Sequence, residues 1–104
     1  MIPKRGQNET QQVQTVTEND LIKYCTVGAV KQLRLEPVSS EDKTAYRVHV
    51  KGTWTPQECL LLTFRKKPRE WSSLDRFMRH AREVYKFKGR LLLDIKFGDE
   101  NEPR

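Results

Sequence analysis

Leu74, Phe77, Met78, Ala81, Val84 and Tyr85 recur at i, i+3, i+4, i+7, i+10 and i+11, while on either side of them the apolar spacing drops to two. The first spacing gathers one apolar stripe only on an α-helix, and the second only on an extended chain. A single amphipathic helix set between strands is therefore the tightest constraint on the fold. The period predicts a helix over 73–87 with Leu74, Phe77, Met78, Ala81 and Tyr85 turned toward the strands. Ser72 is suited to cap its first turn, and Asp75 follows at the capping-box position, where the helix dipole favours a carboxylate. Trp71, before the cap, can reach back onto the first turns, and Gly89 offers a residue to close the helix.

The extended segments read as follows. "AYRVHVKGTW" alternates, with Tyr46, Val48, Val50 and Trp54 on one side and Arg47, His49, Lys51 and Thr53 on the other. In "AVKQLRLEP", Leu33 and Leu35 share a face opposite Arg34, and "VSSEDKT" has the composition of a turn. "ECLLLTFR" is apolar on both faces and reads as a third strand. It should stop near Lys67, because Pro68 has no N–H to donate to a ladder. Downstream, "RLLLDIKF" aligns Leu91, Leu93, Ile95 and Phe97. Upstream, residues 1–16 are polar and Gln-rich, the composition of a disordered arm, and "TENDLIKYC" carries a short helix capped by Thr17. The expected fold is α+β, one domain over 17–97. It comprises a three-stranded antiparallel meander, one amphipathic helix packed on it and a final strand (β-β-β-α-β), preceded by the arm and the short helix. A flexible acidic tail at 98–104 follows.

A chain of 104 residues, 36% of them hydrophobic, has room for one such core and little for a deep catalytic cavity. No apolar run is long enough to cross a bilayer, and "MIPKRGQNET" lacks the apolar stretch of a signal peptide. The expectation is a cytoplasmic chain with no membrane partner, in which Cys25 and Cys59 are reduced thiols. His49 and His80 have no companion that would make either a base or a ligand. Neither cysteine has metal or redox spacing, and no Gly-rich phosphate loop occurs. Catalytic residues, cofactors and metals are accordingly not expected.

Charge is the informative feature. The formal net charge is +6, yet residues 63–90 hold ten basic residues against three acidic ones, a surplus of seven, so the rest of the chain sums to −1. Arg76, Arg79, Arg82 and Lys86 recur along the polar side of the helix. Arg65, Lys66, Lys67 and Arg69 precede its N-terminal end, where the dipole also favours anions. A solvated helix face ordinarily mixes signs, and here Glu83 is the sole acid after Asp75. These eight residues are the candidate binding set for an anionic partner: nucleic acid, with duplex DNA favoured, or else an acidic protein surface.

The strand end, Pro-Arg, aromatic, Leu-Asp and helix of "LLLTFRKKPREWSSLDRFMRH", followed by "GRLLLDIKF", resemble small accessory proteins of bacterial plasmids and integrating conjugative elements, of the partition-associated or maintenance type. The resemblance spans residues 60–97 and rests on Arg65, Pro68, Arg69, Trp71, Leu74 and Asp75. It implies a DNA-binding role in plasmid or mobile-element maintenance. The other reading is an adaptor or inhibitor whose basic helix docks on an acidic partner.

Overall fold

Val48 and Val50, fully buried, put the cleanest alternation in the chain at the middle of a sheet. The computed structural model describes residues 14–40 and 43–94. The elements run β1 (Gln14–Thr17), α1 (Glu18–Thr26), β2 (Val30–Ser40), β3 (Lys43–Gly52), β4 (Thr55–Leu62), β5 (Glu70–Trp71), α2 (Leu74–His80), a π-helical turn (Ala81–Tyr85) and β6 (Arg90–Leu93). The strand order is β1-β4-β3-β2-β6, with β5 also paired to β3. β3 is antiparallel to β2, β4 and β5, whereas β1 lies parallel to β4 and β6 parallel to β2.

This corrects the expected β-β-β-α-β arrangement. In place of a three-stranded meander with one helix and a final strand, the chain forms a mixed six-stranded sheet with two short helices. The added strands are four and two residues long, too short to show a period. They form because a sheet edge offers unpaired N–H and C=O groups that neighbouring chain can satisfy. β4 pairs with β3 only at His49–Gly52, and β5 takes up the ladder at Tyr46 and Arg47. Residues 14–16, assigned from composition to a disordered arm, instead pair with Cys59, Leu60 and Leu61. Residues 1–13 of that arm, the tail 98–104, and Ile95 and Phe97 lie outside the described residues.

Alternation sorts the two faces of the sheet. Leu33, Leu35, Val48, Val50, Cys59 and Leu61 join Val16, Leu21, Trp71, Phe77, Ala81 and Tyr85 in one buried cluster beneath the helices. The opposite face is polar and paired: Arg34 bridges Glu58 at 2.8 Å and Asp94 at 2.7 Å, and Arg47 meets Glu70 at 2.9 Å. His49 Nε2 lies 2.7 Å from Glu36. Thr17 caps α1 by accepting the Asp20 N–H, and Tyr24 of α1 stacks on Trp54 with centroids 4.0 Å apart.

The main helix differs from its expected outline in several ways. Its cap is Ser73, which accepts the Arg76 N–H, and not Ser72. The α-helix ends at His80, and a π turn carries it to Tyr85, closed by Lys86 in the left-handed region at φ 59° rather than by Gly89. Gly89 serves a close approach instead, since a Cβ there would stand 2.5 Å from the Lys31 carbonyl oxygen. The buried row is Phe77, Ala81 and Tyr85, one residue per turn, with Leu74 partly covered. Met78 and Val84, counted in the apolar stripe, are 44% exposed on its flanks. The expected turn "VSSEDKT" is mostly strand, because β2 runs to Ser40 and β3 starts at Lys43.

Phe77 is fully buried and meets the Trp71 ring edge-on at 5.7 Å. Phe77→Ala should cost ~3–5 kcal/mol, a large share of the stability of so small a domain, as read from chemical denaturation. Met78→Ala, on the exposed flank, should cost under about 1 kcal/mol.

Candidate nucleic-acid interface

The structure sorts the eight basic candidates into four environments. Arg65, Lys66 and Lys67 sit on a narrow hairpin that leaves the end of β4. The Arg69 N–H donates to the Leu61 carbonyl at 2.9 Å, Leu62 bridges Pro68, and the Thr63 N–H donates to the Lys67 carbonyl at 2.7 Å. This leaves Phe64, Arg65 and Lys66 as a three-residue tip whose third residue is left-handed, at φ 68°. Thr63 also braces the tip from inside. Its carbonyl accepts the Lys66 N–H, and its hydroxyl accepts the N–H groups of Arg65 and Lys67.

Arg69 is used differently from the other seven. Its guanidinium lies 4.1 Å from the Trp71 ring centroid, and its Nε stands 3.3 Å from Glu18 Oε2. The same Glu18 oxygen accepts the Tyr85 hydroxyl at 2.6 Å. Burial and that carboxylate push the Tyr85 phenol far above its ordinary value, so it stays a donor. A half-buried arginine held between a carboxylate and an indole face is a brace, and is withdrawn from the phosphate-binding set.

On the helix, Arg76 and Arg79 border a shallow depression with Trp71, His80, Glu83 and Val84, and Arg82 is exposed three residues on. His80 belongs to the core side rather than to the polar face its neighbours suggest. It is half-buried, its ring 4.9 Å from Trp71 and 4.7 Å from Tyr85. Burial lowers its pKa below the ordinary 6.5, with Arg69 adding to the effect and Glu18 opposing it, so it adds no positive charge near neutrality.

Lys86 joins a group that sequence spacing could not reveal. It lines a cleft of about 500 Å³ with Lys31, Lys88, Cys25 and Phe87, and Lys31 in turn borders Lys51 and Arg90. Lys31 and Lys51 occupy solvent-side positions in β2 and β3 and look ordinary in the sequence. Only the sheet brings them to the end where the helix and β6 meet. The twelve residues of α2 and its π turn, about 18 Å of helix, separate this group from the hairpin end.

Among the described residues, Arg65, Lys66, Lys67, Arg76, Arg79, Arg82 and Lys86 make no ion pair. Nucleophilic chemistry gains nothing from the thiols: burial pushes Cys25 up to about 11 and raises Cys59 as well. Among the described residues no group of three His, Cys, Asp or Glu could hold a metal ion, and no helix is long and apolar enough to cross a membrane.

Two measurements check this geometry. Lys66→Gly should stabilise the fold by about 0.5–1 kcal/mol, because glycine removes the left-handed penalty and returns part of it as unfolded-state entropy. A denaturant midpoint that fails to rise would contradict the tip conformation. His80, with a depressed folded-state pKa, binds protons more readily when unfolded. Stability should be whole above about pH 6.5 and fall as pH drops through that value toward the folded pKa, and His80→Gln should flatten this part of the pH–stability curve.

No protein-family model, curated protein or solved structure matches the chain.

Proposed function

We propose that the chain is a basic, non-enzymatic nucleic-acid-binding accessory protein that contacts duplex DNA through its phosphates, in plasmid or mobile-element maintenance. The observation that carries this reading is a contrast between two surfaces. On the open face of the sheet, Arg34 and Arg47 are matched by Glu58, Asp94 and Glu70. Along the hairpin and helix, Arg65, Lys66, Lys67, Arg76, Arg79, Arg82 and Lys86 have no carboxylate partner among the described residues. Uncompensated like charge on one side of a small domain repels itself and is relieved by a polyanion. Arginine adds bidentate contacts to phosphate and lysine adds diffuse charge. The resemblance of residues 60–97 to plasmid and conjugative-element accessory proteins supplies the biological setting.

A second reading, docking on an acidic protein, is favoured by Met78 and Val84, whose exposure puts apolar surface among the arginines.

Salt dependence separates the two. With about four to six phosphate contacts, the log–log slope of duplex affinity against salt should lie near −4 to −5. Arg76→Gln with Arg79→Gln should flatten it by about two and leave the thermal midpoint unchanged. Absence of salt-sensitive binding to duplex, single strand and RNA would end the nucleic-acid reading and leave the protein partner.

A further inference from the structure

We infer that the Thr63–Lys67 hairpin is a base-probing finger, in which Phe64 stacks on an unpaired base while Arg65, Lys66 and Lys67 hold the flanking phosphates. The inference rests on the nucleic-acid reading above and adds to it what kind of nucleic acid the chain prefers: one carrying an unstacked base.

Phe64 is 75% exposed, the sole aromatic among the strongly exposed large apolar side chains of the described residues. An aromatic ring normally enters a core or an interface, where it buries most of its surface. Phe64 is denied the core by its position at the tip of a hairpin that projects past the last residue of β4. The tip is also held in one shape, because Thr63 fixes it through the hydroxyl, carbonyl and N–H bonds described above. Lys66 occupies a left-handed position that glycine would fill more easily, so a third cation stands at the tip at a conformational cost. The result is a pre-formed ring with three cations immediately beside it and no carboxylate on the tip.

A partner that matches this must offer a flat apolar face next to negative charge. A nucleobase beside its own phosphates does so, and every base has such a face. In an intact duplex those faces are covered by stacking. The tip therefore gains most where a base is already unstacked, as at a bulge, a junction or a single strand, or where an apolar wedge opens a step. An anionic bilayer shares the charge but not the fit, since one ring is too little apolar area to hold a protein on a membrane.

The test compares the full chain with Phe64→Ala and Phe64→Trp. The probes are a short intact duplex, the same duplex carrying one bulged 2-aminopurine, and vesicles rich in phosphatidylserine, compared at matched salt across a series of salt concentrations. The expected result is tighter binding to the bulged duplex by the unaltered chain. Phe64→Ala should lose about 5- to 150-fold on that probe and less than about twofold on the intact duplex. Phe64→Trp should retain the preference. The emission of the bulged base should change on binding the unaltered chain and not on binding Phe64→Ala. Equal affinity of the two proteins for the bulge, equal losses on both duplexes, or Phe64-dependent binding confined to vesicles would each overturn the inference. Should the intact duplex still bind with the steep salt dependence while the bulge confers nothing, this inference alone fails. If no nucleic acid binds in a salt-sensitive way, the underlying reading falls with it. An unchanged thermal midpoint for Phe64→Ala shows that the losses are not unfolding.

Discussion

One carboxylate ties the distant parts of this fold together. Glu18 opens α1, yet its Oε2 accepts the hydroxyl of Tyr85 at the far end of the main helix and faces Arg69 on the return arm of the hairpin. Around this pair the rings of Trp71 and His80 close in, with Arg69 lying over the indole. The buried phenol finds its acceptor in Glu18, whereas Arg69 Nε, 3.3 Å from the same oxygen, makes an ion pair there without a hydrogen bond. The π turn lies at the same place. It ends on Tyr85, whose hydroxyl meets Glu18, and Lys86 closes it in the left-handed region.

That brace determines which cations remain for a partner. It takes Arg69 out of the surface and keeps His80 neutral near physiological pH by burying it. On the open face of the sheet Arg34 is likewise withdrawn, because Glu58 holds it in a two-bonded grip and is itself held below the usual carboxylate range chiefly by that hydrogen bond. What is left uncompensated runs from the hairpin along the helix to the lysines at the end of β2. The ion pairs thus withdraw Arg34, Arg47 and Arg69, and leave the hairpin and helix cations without a carboxylate among the described residues.

The sheet grows from a well-patterned centre by recruiting poorly patterned neighbours. Val48 and Val50 need cover on one face, and their backbone needs partners on both sides. β2 meets that need along the whole of β3 on one side, while on the other β4 pairs only at His49–Gly52 and β5 adds Tyr46 and Arg47 after the chain has looped out through the hairpin. The projecting loop is the geometric consequence of Pro68, which lacks an N–H and pairs with Leu62 by a single bridge before the ladder resumes at Glu70.

The sequence by itself determined the parts that carry a period or a cap: the faces of Leu33, Leu35, Val48 and Val50, the helix core of Phe77, Ala81 and Tyr85, the Thr17 cap, and the concentration of basic residues between 65 and 90. These are properties of consecutive residues, where side-chain spacing alone decides what can be buried together. Tertiary structure decided the rest. Gln14–Thr17 and Glu70–Trp71 became strands because edges were open to them, not because of their own pattern. Met78 and Val84 were left out because only one row of the helix fits against the sheet. Arg69 became structural while Lys31 and Lys51 joined Lys86, since pairing and proximity depend on residues far apart in the chain, which no local spacing encodes.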